Sequence, residues 1–187
     1  MPLSNTSFLK TGFIVIILGS FLSCKENEPI EKATSKKDVL TKKNKEEIDA
    51  YFFIAASNVT KSIIAKSQLA QHRSVTVSVK NISAIIENNQ NLLLQDINKE
   101  TLKKLIITTD VNSNIANADL YTLIDTVDVN FDKAYIDSIV KSLSEQIKLF
   151  ESISKETQDA SILKLVLYYL PKQYELLREA KKIQTNL

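Results

Sequence analysis

Few residues in this chain have types that do chemistry, and the most reactive of them stands alone. Cys24 is the single cysteine and His72 the single histidine. A lone cysteine offers a nucleophile, a metal thiolate or a point of covalent attachment, and its surroundings decide among these. Cys24 follows Ser23 at the end of "FIVIILGSFLS", the only strongly apolar run. Leu69 stands three places before His72, so the chain has no Glu-x-x-His pair of the kind used by di-metal helical bundles. His72 falls near the end of a predicted helix, where a cation is mildly favourable. Two further clusters stand out. "ENNQN", Glu87 to Asn91, sets polar residues in mid-helix, as a register-setting layer, a ligand contact or a solvated face. "LYYLPKQY" gathers Tyr168, Tyr169 and Tyr174 around Pro171, which predicts a kink, with tyrosines packed in the core or lining a pocket or partner surface.

The composition excludes more than it suggests. Both glycines, Gly12 and Gly19, precede Cys24. Tight hairpins, phosphate-cradling loops, dinucleotide fingerprints and nucleophile elbows all rely on glycine, so none can be built conventionally in the rest of the chain. The formal charge is +2 over 187 residues, with acids and bases interspersed, and this gives no field to attract nucleic acid. No nucleophile-base pair, carboxylate dyad or metal cluster emerges, so the chain reads as a non-enzyme without a cofactor.

The elements that position these residues begin with the leader. Phe13 to Leu22 spans only about 15 Å as a helix, half of a ~30 Å hydrocarbon core, which suits a signal peptide better than a membrane span. Ser23-Cys24 resembles the end of a bacterial lipoprotein signal, in which the cysteine is lipidated and becomes the first mature residue. Phe21 and Leu22 depart from the usual pattern, and an uncleaved anchor or a free thiol are the alternatives. The resemblance implies a signal peptide over 1–23 and a membrane partner reached through lipidated Cys24. Lys25, Glu26, Asn27 and Glu28 resemble a signal for the outer membrane, and they equally suit a solvated linker. Residues 24–45 hold few apolar side chains and read as a flexible tether of about 25 Å reach.

From residue 46 to 187 the apolar period is helical, which predicts one domain. The first segment, about 46–72, presents Ile48, Phe52, Ala55, Val59, Ile63 and Leu69. The second runs from after Ser74 through Val75, Val79, Ile82, Ile86, Leu93 and Ile97, and reaches as far as Ile107 at most. "SVTVSV" alternates like a strand but has no partner strand, and it reads as a helix start. The third carries Phe131, Tyr135, Ile136, Ile139, Val140, Leu143, Ile147 and Phe150, with Asp137–Lys141 and Glu151–Lys155 as i,i+4 pairs. The fourth carries Ile162, Val166, Tyr169, Gln173, Leu176, Ala180 and Ile183, with Asp159 as N-cap. Such stripes bury best against one another, which predicts an all-α, antiparallel four-helix bundle. A short extra helix, 118–126, is expected in the second-to-third connection.

"FDKAYIDSIVKSLSEQIKLFE" and "LKLVLYYLPKQYELLREAKKI" resemble the last two helices of a bacterial family of unknown function labelled "predicted outer membrane protein", and "IAASNVTKSIIAKSQLA" resembles its first helix. The resemblance implies a ferritin-like bundle at the outer membrane. It also places histidines where this chain has Leu143 and Leu176, and an Asp-His pair in the Glu87 to Asn89 region. With those positions changed, the reading is a structural or interaction module with an envelope protein partner. A carrier of a small or apolar ligand in the bundle interior is the alternative, and a residual ferritin-like metal activity is the third.

Overall fold

Past Pro29 the chain is rich in Lys, Glu, Ala, Leu and Ile with Pro171 as its single proline, a composition that favours helix at almost every position. The computed structural model describes residues 30–107 and 113–187, with side chains over 44–107, 119–127 and 130–187. All regular structure among them is helical: α1 (Ile30–Arg73), α2 (Val77–Lys103), α3 (Ser113–Asp125), α4 (Asp128–Glu156) and α5 (Ala160–Gln184). The expected signal peptide over 1–23, the expected cleavage point and Cys24 lie outside the described residues. The chain divides into two units, Met1–Lys42 and Lys43–Leu187. Residues 30–42 of the first unit are helical, within the stretch that composition assigns to a coil tether. Few apolar side chains mean little to bury, yet helix needs only local propensity, and Lys, Glu and Ala supply it.

The joints show how a glycine-free chain turns. Residues 74–76 separate α1 from α2, with Val75 86% exposed rather than on the stripe. "SVTVSV" is therefore a turn and a helix start. The Thr76 backbone N–H donates to Ser74 Oγ at 3.1 Å, a local side-chain substitute for a backbone turn. α2 stops at Lys103, short of Ile107. There Leu105 adopts φ 55°, and the Ile106 N–H donates back to the Thr101 carbonyl at 2.9 Å. This is the left-handed helix stop usually given to glycine, made here by leucine at a cost of about 1–2 kcal/mol. Asp159 does cap α5, accepting from the Ser161 and Ile162 N–H groups at 2.8 and 3.1 Å. α5 runs through Pro171 without a break in helix.

Two apolar clusters form the core of the second unit. One holds Ile63, Ala70, Val79, Ile82, Ile86, Phe131, Tyr135, Ile139, Leu143, Leu176 and Ala180, and α3 adds Leu123 to it. The other holds Phe52, Phe53, Ala56, Leu93, Ile97, Phe150, Ile153, Ile162, Leu165, Val166 and Tyr169. All four long helices contribute to both. Following the chain, α1 and α5 pass from the second cluster to the first, and α2 and α4 pass from the first to the second. The α2–α4 connection must then return along the core: Ile106 packs on the second cluster and Leu123 on the first.

Candidate functional site

Where each long helix passes from one cluster to the other, it places a polar residue inside: Thr60, Gln90, Gln146 and Gln173, all buried. Gln90 Nε2 donates to Gln146 Oε1 at 3.1 Å and to Gln173 Oε1 at 2.8 Å. Gln146 Nε2 donates to Gln90 Oε1 and to Thr60 Oγ1, each at 2.9 Å. Four helices are thereby tied at one level by neutral amides and a hydroxyl. Gln173 Nε2 is buried with no partner, which leaves one amide donor unspent in the layer. Neutral amides neither transfer protons nor ligate metals well, so the layer specifies register and does not do acid-base work.

A second feature lies outside the core, between α2 and α5. A groove of about 490 Å³ is walled by Leu165, Leu167, Tyr168 and Tyr169 from α5 and by Asp96, Lys99 and Glu100 from α2. Lys164 and Ser161 stand at its rim. Leu167 and Tyr168 are 78% and 57% exposed. The Tyr169 hydroxyl donates to Asp96 Oδ2 at 2.7 Å, and burial together with that bond pushes its phenol upward from the ordinary value. Tyr168 and Tyr169 meet edge to face at 4.8 Å, with Lys172 Nζ over the Tyr168 ring at 3.7 Å.

The third is a buried cation. Lys66, on α1, is 1% exposed, with Nζ 3.0 Å from Ser142 Oγ and 3.5 Å from Asp119 Oδ2. Burial lowers its pKa below 10.5, opposed by Asp119. Asp119 belongs to α3 and also meets Lys141 at 3.4 Å. Partial burial would raise its pKa, but the two ammonium groups outweigh that and lower it. Arg73 grips the other end of α3, donating to the carbonyls of Leu123, Ile124 and Thr126 at 3.0, 2.9 and 2.6 Å. Its guanidinium lies 4.5 Å over the Phe131 ring, a cation–π contact. The short helix is held by its C-terminal carbonyls and by one carboxylate.

A family model described as "Domain of unknown function (DUF4142)" matches residues 34–183. The chain belongs to this family. No curated protein and no solved structure matches it.

The residues singled out from sequence fall in different places. Cys24 lies outside the described residues. His72 is exposed at the end of α1, and no group of three or more His, Cys, Asp or Glu among the described residues is placed to hold a metal. Leu143 and Leu176 sit in the first apolar cluster, each one helical turn from a layer glutamine, Gln146 and Gln173. "ENNQN" divides. Gln90 enters the layer, Asn89 Nδ2 donates to its own helix at the Ile85 carbonyl, and Glu87 accepts from Gln68 and Gln71 at 2.8 and 2.5 Å. Those amides lower the Glu87 pKa. The tyrosine cluster splits likewise, with Tyr169 buried, Tyr168 on the groove, and Tyr174 bonded to Glu151. Glu151 and Asp137 are thus engaged by Tyr174 and Gln184, and Lys141 by Asp119, in place of the i,i+4 pairs the spacing suggests. These contacts are exposed, as the i,i+4 pairs would be, and exposed helical pairs contribute only about 0.3–0.5 kcal/mol, too little to dictate which partner is taken. Sequence reading missed Gln146, Lys66 and Arg73. Gln146 and Lys66 interrupt apolar stripes at core spacing, which is the one signal they leave.

Proposed function

We propose that this chain is a lipid-anchored envelope lipoprotein, held at the outer membrane through Cys24, whose mature domain is a non-enzymatic helical bundle with a structural or interaction role. The bundle is read as antiparallel and four-helical, with ferritin-like topology. The order of the clusters along each helix supports this: α1 and α5 run one way, α2 and α4 the other, with α3 in the returning connection. The observation that carries the role is the glutamine layer. A bundle middle tied by amides to every long helix is suited to holding one rigid shape, and its chemistry offers no base, nucleophile or ligand set.

The anchor rests on the Ser23-Cys24 pattern after a ten-residue apolar stretch. Two or three acyl chains, each methylene contributing about 0.8 kcal/mol, hold a protein to a bilayer without a spanning helix. None of the described helices is long and apolar enough to cross one. Fractionation of cells expressing the chain and its Cys24→Ala variant tests the reading. The parent is expected in the outer-membrane pellet, resistant to carbonate and released by detergent, with the variant lost from that pellet. Full retention of the variant there would refute the anchor. The alternative reading is a carrier of a small or apolar ligand in the bundle interior; the groove beside Tyr168 offers a second such place, between α2 and α5.

A further inference from the structure

We propose that the groove between α2 and α5 is a binding site for an amphipathic anion: an aryl or alkyl body bearing a carboxylate, sulfonate or phosphate. Its volume of about 490 Å³ suits a small molecule. The apolar body has a wall to lie on, since Leu167 and Tyr168 stay exposed while Tyr169, bonded to Asp96, backs them. Tyr168 is held edge-on to Tyr169 and faced by Lys172, so little ordering remains to be done on binding.

The charge preference follows from which groups are already engaged. Both carboxylates of the groove have internal partners: Asp96 accepts from the Tyr169 hydroxyl and Glu100 from Lys103 at 2.7 Å. Lys99 and Lys164, one on each helix, make no ion pair among the described residues. Lys172 adds a third ammonium beside the tyrosines, spent only on their rings. Asp96 keeps its charge and Glu100 is offset by Lys103, so Lys99, Lys164 and Lys172 leave an excess of positive charge beside an apolar wall, which selects an anion with an apolar tail over either a cation or a bare anion. This site is independent of the lipid anchor, so either can fail without the other.

Calorimetric titration of the full chain in non-ionic detergent, corrected with protein-free micelles, tests it with naphthoate, octanoate, naphthylmethanol and acetate as probes. Naphthoate or octanoate should bind saturably, the comparison between them distinguishing an aryl from an alkyl body. Naphthylmethanol, lacking the charge, and acetate, lacking the body, should each bind about tenfold more weakly or not at all. Lys99→Gln with Lys164→Gln should weaken naphthoate about tenfold and leave naphthylmethanol unchanged. Tyr168→Ala should weaken both, and Lys148→Gln on α4 should alter neither. The substituted side chains are exposed, so the fold persists, with far-UV circular dichroism as the check. Equal affinity for naphthoate and naphthylmethanol, no binding of either anion, or indifference to the paired lysine substitution would overturn the proposal.

Discussion

Gln90 is the hub of the interior, donating to two glutamines and accepting from one of them. Gln90→Leu would leave Gln173 and the Gln146 Oε1 without partners, while Gln146 Nε2 keeps Thr60, and each buried unpaired polar group costs about 1–3 kcal/mol. We expect this variant to unfold about 2–4 kcal/mol more easily in urea. Replacing Gln90, Gln146 and Gln173 together by leucine removes donors and acceptors in concert and should restore most of that loss. A triple variant no more stable than the single one would mean that packing, not polar satisfaction, holds the layer. Lys66 behaves differently. Its partner Asp119 keeps Lys141, so Lys66→Met should be neutral or stabilising at pH 7. Its pKa is lower folded than unfolded, so between the lowered value and 10.5 the unfolded chain holds more protons and stability rises with pH. Melting curves between pH 7 and pH 10.5 should show that rise in the parent and not in the variant. Sequence spacing exposes such residues only as polar interruptions of a stripe. Gln90 and Gln173 are visible that way, but a bond between helices is invisible until both are placed.

Among the elements, helices are the most legible because the chain has little else to form. The stripes of α4 and α5 match the buried residues nearly one for one, with Val140 and Ile183 only half-buried. α1 is less faithful: Ile48 is exposed while Ser57, Thr60, Lys66 and Ser67 are buried, since tertiary partners override hydropathy on that face. The Asp159 cap before α5 was legible, but the joints after α2 and α3 were not, because left-handed leucine and the Arg73 clamp break the usual rules. Leu105→Gly should stabilise the protein by about 1 kcal/mol, read from the urea midpoint, by removing the Cβ clash at φ 55°. A loss of stability would mean that the leucine side chain contributes more than its strain. Arg73→Ala should raise hydrogen exchange across residues 119–126 while leaving α4 and α5 protected. At the α5 N-terminus, Asp159 is partly buried, which opposes ionisation, yet Lys104, Ser161 and the Ile162 N–H hold its pKa down to about 2. Stability from this cap is present above 3.8 and is lost as pH falls toward 2. Asp159→Ala should cost about 1 kcal/mol at pH 7 and flatten that acid loss.

At the scale of the whole molecule, two unlike parts are joined. In the proposed reading a leader ending in Ser23-Cys24 assigns the place, and a helical domain with two apolar clusters around an amide layer supplies the shape. The groove between α2 and α5, where Lys99 and Lys164 make no ion pair among the described residues and Tyr168 is exposed, is the binding face proposed above. The proposed placement at the membrane depends on Cys24 being the attachment point. The direct measurement is the mass of the N-terminal peptide of detergent-extracted protein. The account predicts a peptide beginning at Cys24 whose mass exceeds the bare sequence by a diacylglyceryl group, with or without an amide-linked acyl chain. An N-terminal peptide that retains residues before Cys24, or that begins there with an unmodified thiol, would contradict it.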